Sequence, residues 1–211
     1  MDYLKTFQEK LNQYDKDACV SLIHGWIDKS ELDLVTVYET ILTYALADVS
    51  SKEVNPKHRI WDEHMKTQIL RTVLESLYPK VMRFTSIDPT HKVAILCPEG
   101  EYHELGARIV ADYFRMLGYT SFYLGNSLPK DEISDLIASV DFSYLVFSVN
   151  NFYSLSALNT SLRTINQKRP DLKIILGGQA LMHNPEAVMG QNITICQTFD
   201  QLKQYLEGDK A

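Results

Sequence analysis

The sequence predicts an α/β protein in which a bundle of helices precedes a parallel β-sheet. Glycine occurs once before residue 85, at Gly25, and recurs along the rest of the chain. Apolar residues in the first part repeat with the period of a helix, whereas in the second part short apolar runs alternate with amphipathic stretches. The change falls at residues 85–91 and indicates two domains, a helical one at 1–88 and an α/β one at 89–211.

The composition is that of an ordinary globular protein. Of 211 residues, 45% are hydrophobic and 23% are charged, and the net charge is −6. The negative charge disfavours direct binding to nucleic acid. Three cysteines without a CxxC pair indicate neither a disulfide framework nor a zinc ribbon. No apolar run approaches the roughly 18 residues of a membrane span, and the N-terminus lacks a signal-peptide core, so we expect a cytoplasmic protein.

Four helices account for the first domain. The first has apolar residues on one face at Leu4, Phe7, Leu11 and Tyr14. The second and third cover residues 18–27 and 34–49. The fourth begins near Asn55 and Pro56 and repeats a large apolar residue every four positions, at Trp61, Met65, Ile69, Val73 and Leu77. Four helices in this length form a small bundle.

Five short β-rich runs define the second domain, at residues 92–97, 120–125, 144–149, 173–178 and 193–197. Amphipathic stretches lie between them at 103–117, 130–140 and 153–168, with a shorter one at 185–189. Such alternation predicts a five-stranded parallel sheet covered by helices on both faces, in the flavodoxin-like (Rossmann-like) order 2-1-3-4-5. This order places the ligand crevice between the first and third strands.

Small and polar residues follow three of these strands. They are Glu101-Tyr102-His103-Glu104-Leu105-Gly106, Ser148-Val149-Asn150 and Gly177-Gly178. Because the carboxyl ends of parallel strands share one rim, we expect these segments to meet at one site. His103, with a carboxylate two residues before it, is suited to bind a ligand, and the small residues leave room for one larger than a metal ion.

Several other sites on such a sheet fit the residues poorly. A phosphoacceptor domain needs an aspartate where the third strand ends in Ser148-Val149-Asn150. Glu99 and Glu101 would repel the phosphate of a flavin nucleotide, and the GxGxxG pattern of dinucleotide sites is absent. A bare metal site made by His103, Glu101 and a histidine of the bundle stays open, although no two ligands have helical metal spacing.

The three segments and their spacing resemble the cobalamin-binding domains of the methionine-synthase type. Those domains carry DxHxxG, then SxL, then GG. In this chain 41 residues, 107–147, separate the first segment from the second, and 26 residues, 151–176, separate the second from the third. The resemblance covers the whole second domain. The helical domain is similar to the cap that lies over the corrin ring in the same proteins.

The resemblance implies a role for each matched residue of the first segment. His103 corresponds to the histidine that binds cobalt from below. Glu101 stands where the family usually has Asp and would fix the tautomer of the imidazole and raise its basicity. Tyr102, Leu105 and Gly106 belong to the same cofactor-binding segment.

The other two segments are implied to bind the nucleotide tail of the cofactor. Ser148 corresponds to the serine that faces the tail, and Asn150 stands where leucine is usual. Gly177 and Gly178 correspond to the glycine pair that admits the tail against the backbone. Ser154 corresponds to a serine that extends the histidine–carboxylate relay.

The fourth helix carries Glu63-His64, which resembles the Glu-His cap segment of light-sensing cobalamin-dependent regulators, where the pair lies above the corrin. The ExHxLG form of the histidine segment, Glu101 to Gly106, is also theirs. This chain differs from them in two ways, because Glu53 replaces a cap tryptophan and no DNA-reading helix-turn-helix module is evident. Trp61 is a candidate corrin contact, but its place in the apolar repeat is more typical of core packing, and Glu63 and His64 are compatible with a solvated helix face.

We therefore expect a protein that binds adenosylcobalamin or methylcobalamin, with its cobalt held by His103, and that has no catalytic residues of its own. The resemblance favours a sensory role, as a photoreceptor in transcription regulation that signals through a separate regulator. The alternative is a corrinoid methyl carrier that serves methyltransferases, and a cobalamin store is a third, weaker possibility. Homo-oligomerisation is compatible with each, whereas binding to a membrane is not expected.

Overall fold

A computed structural model describes residues 2–50, 60–84, 90–182 and 184–209 of the chain. The chain divides into two compact units, Met1–Thr85 and Ser86–Ala211. The predicted start of the fourth helix at Asn55 and Pro56 lies outside the described residues. Within the described ranges, no helix combines the length and the apolar character needed to cross a bilayer.

The first unit is a bundle of helices, as predicted. Its elements are α1 Tyr3–Asn12, α2 Lys16–Asp28, α3 Leu34–Val37, a π-helical segment Tyr38–Leu42 that continues into α4 Thr43–Ser50, and α5 Ile60–Val81. The side chains of Asp2, Asp15 and Asp33 accept backbone N–H groups at the starts of α1, α2 and α3. The predicted third helix is made of α3, the π-helical segment and α4, which follow one another without a break.

The apolar repeat of α5 does not lie on one face. Val73 and Leu77 are fully buried, whereas Trp61 and Met65 are 50% and 44% exposed. The interpretation of Trp61 as a core residue is therefore wrong. Four residues turn a helix by about 400°, and each step of the repeat therefore drifts by about 40° around the axis. Over the sixteen residues from Trp61 to Leu77 the drift reaches about 160°, which carries the first members away from the core.

Asp62 takes the buried position at the start of α5. It is 8% exposed, it accepts a 2.6 Å hydrogen bond from the Tyr14 hydroxyl, and it pairs with Lys66 at 3.0 Å. A buried carboxylate is tolerated here because both partners compensate for its lost hydration.

The second unit is a five-stranded sheet with all strands parallel. The strands are β1 Lys92–Leu96, β2 Thr120–Tyr123, β3 Tyr144–Ser148, β4 Lys173–Gly177 and β5 Ile193–Ile195, in the order β2-β1-β3-β4-β5. This confirms the predicted fold and strand order. Every residue of the central strand β3 is buried, because the strand is paired on both edges and covered on both faces.

Helices connect and cover the strands. They are α6 Leu105–Met116, α7 Ile133–Ser139, α8 Leu155–Lys168, α9 Gln179–Met182 and α10 Phe199–Asp209. The predicted short helix at 185–189 is only a 3₁₀ turn, Pro185–Ala187. Helix α6 begins two residues later than predicted, so Glu101 and His103 lie in the loop that follows β1.

The C-terminal helix α10 is absent from the sequence prediction. Leu202 and Leu206 are its buried residues, and the ring of Phe199 stacks on Tyr113 of α6 with centroids 4.0 Å apart. The i, i+3, i+7 spacing of these three residues is a helical signal that the sequence contains.

Candidate functional site

The buried carboxylate of Glu101 is the centre of the rim at the carboxyl end of the sheet. Its Oε1 accepts hydrogen bonds from the backbone N–H of His103 at 3.0 Å and from His103 Nδ1 at 2.7 Å. Its Oε2 accepts the backbone N–H groups of Asn150 at 2.8 Å and Asn151 at 2.6 Å. One side chain with no solvent exposure thus joins the loop after β1 to the loop after β3.

These contacts keep Glu101 ionised. Burial by itself raises the pKa of its carboxyl group, but hydrogen bonds from the His103 ring, the His103 backbone, Asn151 and Asn150 outweigh burial and hold the pKa below its ordinary value. A charged acceptor also makes each of these hydrogen bonds stronger than a neutral pair.

The imidazole of His103 is oriented by Glu101 and remains accessible. Its side chain is 52% exposed although its carboxylate partner is fully buried. Because Nδ1 donates to an ionised oxygen, the neutral ring carries its proton on Nδ1 and its lone pair on Nε2, the arrangement that metal-binding histidines use. The neighbouring thiol of Cys97 is no rival ligand, since burial, with a smaller effect of Glu101 and Glu104, raises the pKa of Cys97 to about 12.

Asn150 connects the same loops through its side chain. Its Nδ2 donates to the carbonyl oxygen of His103 at 3.2 Å, and its Oδ1 accepts the backbone N–H of Gln179 at 3.2 Å. Gln179 follows Gly178 directly, so the segments after β1, β3 and β4 meet in the structure, as their places at the strand ends predict.

Gly106 and Ser148 lie close together at this rim. Ser148 ends β3 and is 8% exposed, and Gly106 lies in the first turn of α6. A methyl group added at Gly106 would meet Ser148 Oγ at 3.6 Å and Asn150 Nδ2 at 4.0 Å, both ordinary contact distances. Packing therefore does not require glycine here, and a glycine in a helix costs about 1 kcal/mol relative to alanine. Room for a ligand is a physical reason for it.

The glycine pair is required by the backbone itself. A methyl group at Gly177 would lie 2.9 Å from the carbonyl oxygen of Cys196, and one at Gly178 would lie 2.3 Å from that of Val149. Gly178 also has a φ of +107°, which side chains rarely adopt. The pair therefore serves the strand-to-loop turn whether or not a ligand tail passes beside it.

Gly178→Ala is expected to lower the free energy of unfolding by roughly 3 kcal/mol, because it adds a clash with Val149 to a strained φ. Gly125→Ala is the matched control, since Gly125 has a φ of +88° and no atom within 4 Å of an added methyl group. Its expected cost is roughly 1 kcal/mol. Urea unfolding of both variants measures the difference, and equal losses would contradict the role of the clash.

Ser154 is not joined to the Glu101–His103 pair. Its Oγ is buried and has no hydrogen-bond partner among the described residues, and both oxygens of Glu101 are engaged by the groups given above. The structure therefore does not show the predicted extension of the relay through this serine.

Three exposed aromatic rings flank the site, and two of them were not predicted. Tyr102 is 71% exposed, and Phe152 and Tyr153, in a 3₁₀ turn after β3, are 58% and 88% exposed. Tyr102 follows Glu101 directly, and Phe152 and Tyr153 follow Asn151, whose N–H donates to Glu101. Leu105, in contrast, is the first residue of α6 and is buried. The signal for Phe152 and Tyr153 is two adjacent aromatic residues in a loop after a buried strand.

The candidate residues of the helical unit lie on α5. Trp61 and His64 are exposed and Glu63 is partly exposed. The ring of Trp61 lies 6.3 Å from that of Tyr14. Across the described ranges, no group of three or more His, Cys, Asp or Glu side chains is arranged to hold a metal ion.

Comparison with known proteins gives the family of this chain. Residues 91–199 match the family model of the B12 binding domain. The fold is similar to that of the monomethylamine corrinoid protein of Methanosarcina barkeri, with 15% identity, 98% of each chain covered and a TM-score of 0.81. A cobalamin-binding protein of Desulfitobacterium hafniense DCB-2 is 18% identical over 97% of each chain, with a TM-score of 0.52. No curated protein sequence is similar enough to count as a relative.

Proposed function

Because this chain belongs to the B12-binding domain family, we propose that it is a corrinoid protein that carries methyl groups between separate methyltransferases. The observation that carries this proposal is the likeness to the monomethylamine corrinoid protein, which extends over 98% of both chains. A corrinoid supplies a cobalt ion that takes up a methyl group from one molecule and gives it to another.

The loop after β1 is suited to hold the cobalt from below. His103 would be the protein ligand through Nε2, because Glu101 fixes the proton on Nδ1. The 52% exposure of the imidazole leaves it accessible to a large ring, while the buried carboxylate keeps it in place. Tyr102, Phe152 and Tyr153 would present flat apolar faces beside the ring, and Leu105 would support the loop from the core.

The part of the rim near Gly106 and Ser148 would take the nucleotide tail. A missing side chain at Gly106 that packing does not demand supports this assignment. Gly177 and Gly178 would keep the neighbouring turn close to the backbone. Trp61, Glu63 and His64 stay predictions for contacts with the cofactor, and Ser154 stays a prediction without a contact to Glu101.

A sensory protein is the second candidate function. Two sequence features favour it, the Glu63-His64 pair and the ExHxLG form of the histidine segment. The structural likeness to a corrinoid protein named for monomethylamine gives the methyl carrier the better support. In either case the corrinoid is the bound ligand and the effect is exerted on a separate protein, so the chain alone is expected to catalyse little.

The first test is an absorption spectrum of the protein after reconstitution with methylcobalamin or adenosylcobalamin and desalting. We expect corrin absorbance that stays with the protein. No retained absorbance would rule out both candidate functions.

The second test separates the two functions. The loaded protein is reduced and mixed with a methylamine-specific methyltransferase and methylamine, and the spectrum is followed for formation of the methylated cofactor. Methylation would identify a methyl carrier, whereas its absence would count against a carrier that serves this methyltransferase. In a parallel measurement the adenosylcobalamin form is run on a sizing column in the dark and after illumination. A light-dependent change in size without methylation would favour the sensor over the carrier.

A further inference from the structure

Asn150 is the residue whose contacts reach all three loops of the site. Its backbone N–H donates to Glu101 Oε2, its Nδ2 donates to the His103 carbonyl oxygen, and its Oδ1 accepts the Gln179 N–H. We infer that Asn150 is a positioning residue that locks the His103 loop in its ligand-binding position before a corrinoid arrives. The inference rests on the proposed function, since it concerns His103 as the cobalt ligand.

The bridge needs an asparagine side chain. A carbonyl acceptor lies on one side of it and an N–H donor on the other, and a carboxamide is the short neutral group that offers both a donor and an acceptor. A leucine, which is usual here in the cobalamin domains that this chain resembles, can make neither hydrogen bond.

The anchor at Gln179 is rigid. Gly178 lies so close to Val149 that an added methyl group would be 2.3 Å from the Val149 carbonyl oxygen. The N–H of Ala180 donates to the same oxygen at 3.1 Å. The residues before and after Gln179 are therefore both held against the chain just after β3, and the hydrogen bond to Asn150 transmits this fixed position to the His103 loop.

The His103 loop depends on such support. Glu101 holds the ring of His103 and its N–H, and Asn150 holds its carbonyl oxygen, so the two contacts fix the peptide groups on both sides of the ligand residue. The ring of His103 is half-exposed, so packing covers only part of it. Loss of the Asn150 bridge would release the carbonyl side and let the ring leave the orientation in which it can bind cobalt.

Asn150→Ala and Asn150→Leu test the lock, with Asn159→Ala as the matched control. Asn159 makes the same kind of bridge in the same unit, because its Nδ2 donates to the Ala187 carbonyl oxygen at 2.8 Å and its Oδ1 accepts the Met189 N–H at 3.1 Å. Its removal therefore costs the same types of hydrogen bond without touching a loop that contains His103, Ser148 or Gly178.

The first measurement is amide hydrogen exchange of the protein without corrinoid. We expect the Gln179 amide to exchange about tenfold faster in both Asn150 variants, because it loses its acceptor, and to be unchanged in Asn159→Ala. The second is the absorption spectrum of the loaded protein. The ratio of base-off to histidine-ligated cofactor should rise about three- to tenfold in the Asn150 variants alone.

The results separate the lock from the proposed function. Unchanged Gln179 exchange in the Asn150 variants overturns the lock, whatever the cofactor does. Faster exchange with an unchanged ligation ratio, or an equal change of ratio in Asn159→Ala, overturns the positioning role. If Gln179 exchanges faster in the Asn150 variants but the wild-type protein retains no corrinoid, the proposed function is overturned. The role of Asn150 toward cobalt is then overturned with it.

Discussion

Replacing His103 with alanine is expected to convert the bound corrinoid completely from the histidine-ligated to the base-off absorption spectrum. The ring is the only part of this residue that the variant removes, and it carries the Nε2 lone pair that Glu101 prepares through Nδ1. The tail contacts proposed for Gly106 and Ser148 stay intact, so the cofactor should be retained with lower affinity. The measurement is a spectrum after desalting, at equal protein and corrinoid concentrations.

His91→Ala is the control for this variant. His91 is exposed and lies directly before β1, at the amino end of the sheet, opposite the rim that carries His103. Its replacement should leave the ligated spectrum unchanged. Added imidazole should restore part of the ligated spectrum in His103→Ala by entering the emptied position. An unchanged spectrum in His103→Ala would remove His103 from the ligand role.

Glu101→Gln is expected to have the largest effect on stability, a loss of roughly 3 kcal/mol or more in the free energy of unfolding. The carboxylate accepts four N–H groups, two at each oxygen. In glutamine one oxygen becomes an NH₂ donor, which then faces either the two N–H groups of Asn150 and Asn151 or those of His103. Buried donors without acceptors retain their full desolvation cost.

Glu99→Gln provides the matched control for Glu101→Gln. Glu99 is in the same loop, but its side chain is 43% exposed and pairs with Lys130 at 3.2 Å. An exposed pair of this kind contributes about 0–1 kcal/mol, so this variant should unfold nearly like the wild type. Comparable losses in the two variants would show that the buried network around Glu101 is not what stabilises the loop.

The same carboxylate gives a pH dependence with a defined sign. The pKa of Glu101 is lower in the folded protein than in the unfolded chain, where it is about 4.3. Its contribution is therefore fully present above pH 4.3 and is lost as the pH falls through the lower pKa of the folded state. Wild-type stability minus that of Glu101→Gln should decrease as the pH falls below about 4.3. A difference that grows on acidification below about pH 4.3 would contradict the assignment.

The sheet and the meeting of the three motifs could be predicted because both follow from local patterns. Short apolar runs separated by helical stretches fix a parallel sheet, and parallel strands bring their carboxyl ends together. That argument suffices to place Glu101, Ser148 and Gly178 at one rim. It does not require any knowledge of side-chain contacts.

Contacts that depend on three-dimensional detail could not be predicted. The burial of Asp62 and the exposure of Trp61 follow from the helical turn, since each four-residue step moves the repeat about 40° around the axis. Counting apolar residues does not take this rotation into account. The bridge made by Asn150 depends on two backbone groups 47 positions before it and 29 positions after it. The helix that begins at Phe199, in contrast, could have been predicted, because the spacing of its apolar residues is regular.

The contacts of Glu101 also indicate the order in which this part of the protein folds. Its Oε2 partners are 49 and 50 residues further along the chain, beyond the whole of α6, β2, α7 and β3. Closing a loop of that length lowers the entropy of the chain. The pairing of β1 with β3 offsets this cost. We therefore expect His103 to gain its final orientation late, after β3 has docked beside β1. During synthesis on the ribosome, a chain that ends before Asn150 would hold the sequence of the histidine motif but not the contacts at Glu101 Oε2 that join it to the loop after β3.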